Sequence, residues 1–204
     1  MKKMVSLASG PCVCAMVAIL ALTFLSAFPV FAQAPAKAKG APPAAPAEMA
    51  PPVELGQLSF FDGEWSCKGK AEASPMGPAH PTEATVRINR DLGGYWFVGH
   101  YAEKKSAANP HPMVFHFVQG YDATAKSFTM DCYDAFGGHC HQTATGWKDG
   151  KIVYSGQGLG NGPPTPVRDT FTKTGEASLE HAGEIQMDGK WVAIDHETCT
   201  KGKK

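Results

Sequence analysis

His139 and His141 are separated by one residue, the spacing of a small metal site. In an extended strand successive side chains alternate faces, so both imidazoles point one way and Cys140 points the other. Such a pair supplies half of a copper or zinc site, and Asp131 or Asp134 on a partner strand could add oxygen donors. The same spacing equally suits a solvent-facing pair beside a glycine turn. His100 alternates with Trp96 and Val98, and His116 alternates with Val114 and Val118. If that face is interior, the histidines are polar groups in an apolar lining, the composition of a small-molecule site. If Tyr95, Phe97, Tyr101, Phe115 and Phe117 face inward instead, both histidines are external. His196 lies near the end of the chain and shares a face with Val192 and Ile194 under strict alternation.

Enzyme signatures are missing from the sequence. It contains no Gly-x-Ser-x-Gly elbow, phosphate loop, His-Glu-x-x-His motif or dinucleotide fingerprint. Asp131, Asp134, Asp169, Asp195 and Glu197 fall in strand-like runs, where a charge more often marks the solvent face than a catalytic pair. Arg168 and Asp169 are adjacent and so point to opposite faces.

The elements that position these residues begin after an export signal. Lys2 and Lys3 precede an uncharged apolar run from Pro11 to Phe31, and Val30-Phe31-Ala32 has the form of a cleavage site. Residues Met1 to Ala32 are therefore expected to be removed, leaving Gln33 as the first mature residue. A retained membrane anchor is the alternative, because the run is long enough to span a bilayer. Removal leaves 17 basic against 19 acidic residues, a net charge of −2. That balance offers no electrostatic footprint for nucleic acid or an anionic membrane. The expected destination is the periplasm or the exterior, with no membrane insertion after cleavage. Gln33 to Val53 is a Pro/Ala-rich linker without the large apolar residues of a core, and is expected to be disordered.

From Glu54 to Lys204 the texture is all-β. About ten short runs rich in Val, Ile, Tyr, Phe, Trp and Thr alternate with Gly, Asn and Asp clusters. The expected strands are 64–73, 82–91, 95–103, 113–121, 127–134, 139–147, 151–158, 167–173, 178–187 and 190–200, with one helical turn near 53–60. Asp149-Gly150 and Asp188-Gly189 are strong hairpin signals. A meander of this length is expected to close into an antiparallel up-and-down barrel, because closure removes exposed edges. Four cysteines follow the export signal, with no Cys-x-x-Cys, and an even number in an exported chain implies disulfides. Cys132 and Cys140 flank the Phe136-Gly137-Gly138 turn and pair across that hairpin. Cys67 and Cys199 lie in the first and last strands and become neighbours only if the barrel closes.

Leu58-Ser-Phe-Phe-Asp-Gly-Glu-Trp65, Leu92-Gly-Gly-Tyr-Trp-Phe-Val-Gly99, Gly120-Tyr-Asp122 and Arg168 resemble the bacterial domain of unknown function 1579 family. The resemblance implies a calycin or lipocalin-like barrel and no particular reaction. It departs at Thr198-Cys199-Thr200-Lys201, where an aromatic residue and an arginine are usual. Likeness to nitrobindin-type barrels, which use a late-strand histidine, makes His196 a candidate haem ligand. The leading expectation is a non-enzymatic exported barrel binding a small apolar ligand, with anchors among Trp96, His100, His116, Arg168 and His196. The rivals are a periplasmic copper, zinc or haem protein, with the metal at His139 and His141, and a structural module whose barrel is filled.

Overall fold

Asp149-Gly150 and Asp188-Gly189 each form the tip of a hairpin, with φ of 50° and 77° at the first and 50° and 76° at the second. Two successive positive φ values give a turn whose twist matches that of the flanking strands. The computed structural model describes residues 50–75, 77–160 and 162–202. The expected export signal, and all of the expected linker before residue 50, lie outside the described residues.

Ten strands run in chain order: β1 (Gly63–Ala71), β2 (His80–Asp91), β3 (Trp96–Glu103), β4 (Val114–Asp122), β5 (Ser127–Asp134), β6 (His139–Ala144), β7 (Lys151–Gly160), β8 (Gly162–Gly175), β9 (Ser178–Met187) and β10 (Lys190–Lys201). Each pairs antiparallel with its sequence neighbour, and β1 pairs with β10 to close the barrel. At that closing seam Cys67 stands opposite Cys199, Cα to Cα 4.0 Å, and the two are disulfide-bonded. Cys132 and Cys140, 5.0 Å apart on β5 and β6, form the second disulfide. Both bonds belong to an oxidising compartment rather than to the reduced cytoplasm. No helix among the described residues is long and apolar enough to cross a membrane.

One end of the barrel is stoppered. A 3-10 helix, Val53–Phe60, buries Leu55 and Leu58 against the barrel floor. Phe61 follows, and its carbonyl accepts a hydrogen bond from Trp65 Nε1 at 2.7 Å. Phe60, Phe61, Trp147 and Phe171 meet edge-on or stacked at centroid separations of 5.2–5.8 Å. Lys201 sits beside this aromatic group. Its Nζ lies 4.9 Å from the Trp65 ring and donates to the Phe60 carbonyl at 2.9 Å. Each large side chain buried here contributes roughly 1.5–3 kcal/mol.

Alternation decides what faces inward. In β6, Cys140, Gln142 and Ala144 are buried while His139, His141 and Thr143 are exposed. In β10 the alternation is interrupted by a bulge between Ala193 and Asp195, where the register against β9 shifts. A bulge adds one unpaired residue and reverses every later side chain. Glu197 and Cys199 therefore turn inward, Asp195 joins them, and His196 turns out.

Candidate functional site

Three neighbouring strands place charged side chains on the inner wall. Asp169 comes from β8, His181 from β9 and Asp195 from β10. In the register Asp169 and Asp195 both stand opposite Gly183, and His181 stands opposite Glu197. Gly183 is required by this close approach, since a Cβ there would fall 2.3 Å from Asp195 Oδ2. The two carboxylates close on the imidazole from either side. His181 Nε2 is 2.9 Å from Asp169 Oδ1, and Nδ1 is 3.0 Å from Asp195 Oδ1. Burial alone would lower the imidazole pKa, but Asp195 and Asp169 outweigh it and hold the pKa well above the ordinary histidine range. His181 is a cation clamped between two anions.

Further polar groups extend the cluster. Gln142 Nε2 donates to Asp169 Oδ2 at 2.5 Å. Tyr101 donates its hydroxyl to Glu197 Oε1 at 3.0 Å. Loss of water raises the Glu197 pKa, against the hydrogen bond from Tyr101 and the charge of His181. Burial, reinforced by Glu197, raises that of Tyr101. Aromatic surface adjoins the cluster: the Phe171 ring lies 4.7 Å from His181, and Phe115 stacks on Tyr101 at 4.7 Å. Side-chain exposure is 18% for His181, 23% for Asp169 and 28% for Asp195, so water reaches the group without surrounding it. Nε2 is hydrogen-bonded to Asp169 and Nδ1 faces Asp195 at ion-pair distance, so each ring nitrogen of His181 is turned toward a carboxylate.

A fourth inward carboxylate has a constructional role. Glu103 contacts His80 Nε2 at 3.2 Å and accepts from Asn109 Nδ2 at 2.7 Å and the Met113 amide at 2.9 Å. These contacts tie the connection between β3 and β4 to the barrel wall.

The residues expected to line the interior lie on the outer face, which corrects that expectation. Trp96 is exposed and lies across Gly120, where a Cβ would fall 2.3 Å from the indole. His100 and His116 are cross-strand partners with ring centroids 4.6 Å apart, and His116 is exposed. Arg168 pairs with Glu184 at 2.7 Å and stacks over Trp191 at 4.4 Å. His196 is exposed beyond the bulge, so the haem expectation loses its interior ligand. The inward set is the other one weighed, including Phe97, Tyr101, Phe115 and Phe117, because these pack into the core.

His139 and His141 do share an outer face, as alternation requires. His141 Nδ1 contacts Asp131 Oδ1 at 2.7 Å, while His139 stacks with Tyr133 at 6.2 Å. Asp134 is committed to its turn, where Oδ1 accepts from the Phe136 and Gly138 amides at 2.7 and 3.0 Å. The four expected ligands do not converge.

Sequence reasoning passed over His181, Gln142 and Tyr101 as site residues, and treated Asp169, Asp195 and Glu197 as solvent-facing. A signal for two of them was present. Trp65 in a Gly-x-Trp opening faces the barrel floor, so Cys67 two residues on faces inward, as does Cys199 opposite it. Counting back by twos from Cys199 reaches Glu197 and Asp195.

No protein-family model matches the chain, and no curated protein matches it. Among solved structures the chain is similar to the crystal structure of Rv2717c from M. tuberculosis, at a TM-score of 0.60 and 12% identity. The match covers 76% of this chain and 100% of that one. At that identity the likeness shows the barrel fold alone.

Proposed function

We propose that this chain is an exported, non-enzymatic barrel that binds a small, largely apolar molecule through the end opposite the 3-10 helix. The supporting observation is the half-open cluster of His181, Asp169 and Asp195 on an otherwise aromatic inner wall. A barrel filled only for stability gains little from inward charges, because each costs desolvation that apolar packing would avoid. Charges kept partly wet beside Phe115, Tyr101 and Phe171 have the make-up of a ligand site, a few polar groups set in apolar lining. Holding rather than proton transfer fits the engagement of both His181 nitrogens. Export is supported by the Met1–Ala32 pattern and by the two disulfides, with the periplasm or the exterior as destination.

The test is titration of the folded domain with N-phenyl-1-naphthylamine, an uncharged apolar fluorophore. Saturable one-to-one binding is expected, and Phe115→Ala should weaken it about tenfold, the loss of one apolar ring contact. Fluorescence that rises without saturation would favour the filled structural barrel instead.

A further inference from the structure

We infer that the ligand proposed for the end opposite the 3-10 helix carries a cationic amine on its apolar body, received by Asp195, Asp169 and Gln142. This rests on the small-molecule reading above and adds the chemistry of the recognised group. The first support is charge. Two carboxylates share one imidazolium, so the His181 group carries a net negative charge, and the carboxyl of Glu197 lies on the same wall. Lys173 and Lys201 lie over Trp147 and Trp65 at the stoppered end, and Lys190, in phase with Val192, is exposed at the start of β10.

The second support is independent of charge. Gln142 is 2% exposed, and its Nε2 is committed to Asp169. A carboxylate accepts and cannot donate, which fixes the amide with its nitrogen toward Asp169. Gln142 Oε1 is then a buried acceptor at the edge of the cluster with no hydrogen-bond partner among the described residues. Buried acceptors without a donor are costly and rare, so one on an inner wall points to a donor brought by a bound molecule. An ammonium group offers three donors and no acceptor, matching the carboxylate and amide oxygens of Asp169, Asp195 and Gln142, and the unpartnered buried hydroxyls of Thr82 and Tyr154 can accept as well. A carboxylate ligand would meet repulsion and leave Oε1 unserved.

Exposure gives the order of approach. Asp195 at 28% and Asp169 at 23% are the more accessible anions, while Glu197 at 4% lies behind Tyr101. The amine therefore meets Asp195 and Asp169 first, with its apolar body along Phe115 and Tyr101.

Displacement of N-phenyl-1-naphthylamine by octylamine, octanol and octanoate at neutral pH and low salt tests this. Octylamine should displace the probe at about ten- to a hundredfold lower concentration than octanol, the range of a charge-assisted hydrogen bond. Octanoate should be weaker than octanol. Asp195→Asn should remove most of the amine preference, read as the ratio of octylamine to octanol potency, and an unchanged ratio overturns the amine inference. Gln142→Met, close in volume and lacking the acceptor, gives a second readout and should also reduce the amine-to-octanol ratio. Equal displacement by all three, or a preference for octanoate, overturns the amine inference while the binding reading stands. A probe that fails to bind saturably overturns both.

Discussion

His181→Gln tests the polar cluster directly. The substitution removes the cation shared by Asp169 and Asp195 but keeps an amide donor in the same region. Breaking a fully buried ion pair costs about 3–5 kcal/mol, because the surviving charge stays desolvated without its partner. Here water reaches the three side chains, at 18, 23 and 28% exposure, and screens part of that loss. The expected destabilisation at neutral pH is therefore about 2–3 kcal/mol. For a domain of this size that lowers Tm by about 5–10 °C. The sign of the pH dependence follows from the raised His181 pKa. The folded chain holds this proton more tightly than the unfolded chain, whose histidine titrates near about 6.5. The stabilisation is whole below that value and is lost as pH rises through the folded-state pKa. The gap between wild type and variant should narrow in alkali for that reason. Urea unfolding at about pH 5, 7 and 10, followed by tryptophan fluorescence, measures all three points. A gap below about 1 kcal/mol at neutral pH, or one that stays constant across the series, would refute the clamped-cation account.

Two further outcomes concern the covalent frame and the N-terminus. Replacing Cys67 and Cys199 by Ala should cost up to about 5 kcal/mol, against up to about 2.6 kcal/mol for Cys132 and Cys140, because the sequence separations are 132 and 8; equal shifts in urea midpoint would show that loop entropy does not set the difference. N-terminal sequencing of material from the exporting cell should begin at Gln33, and Met1 in membrane-bound material would mean a retained anchor instead.

Much of the barrel was legible because its signals are local. β5 and β9 occupy the expected spans, and the Asp-Gly turns that bound β7 and β10 need only two residues to be recognised. Misreadings arose where a local rule met a tertiary contact. β8 was expected to begin at Val167, after Pro163, Pro164 and Pro166, residues that lack the donors a ladder uses. It begins at Gly162, since β7 supplies partners such as Gln157 for Pro166 along that stretch. Trp147 was assigned to β6, which ends at Ala144. Its indole instead donates to the Gln57 carbonyl at 2.9 Å and packs beneath the 3-10 helix.

The site was less legible because choosing the inner face is a global decision. In a paired sheet, residues opposite each other share a face, so one secure anchor fixes the face for the whole barrel. Trp65 is such an anchor, and the pairing of Cys67 with Cys199 carries its assignment across the closing seam to Glu197. From Glu197 the register passes it to His181, and from His181 to Phe171. Beginning instead from Val192 and Ile194 leads across the bulge at Ala193/Asp195, where the phase reverses and His196 is wrongly placed inside. The bulge that hides the cluster from strict alternation is thus also what builds it. Without the extra residue, Asp195 and Glu197 could not share the inner face with Cys199 while the first part of β10 keeps its register on β9. Bulges re-aim side chains at a local cost in pairing, and this one aims a carboxylate at His181 where Gly183 leaves room for it.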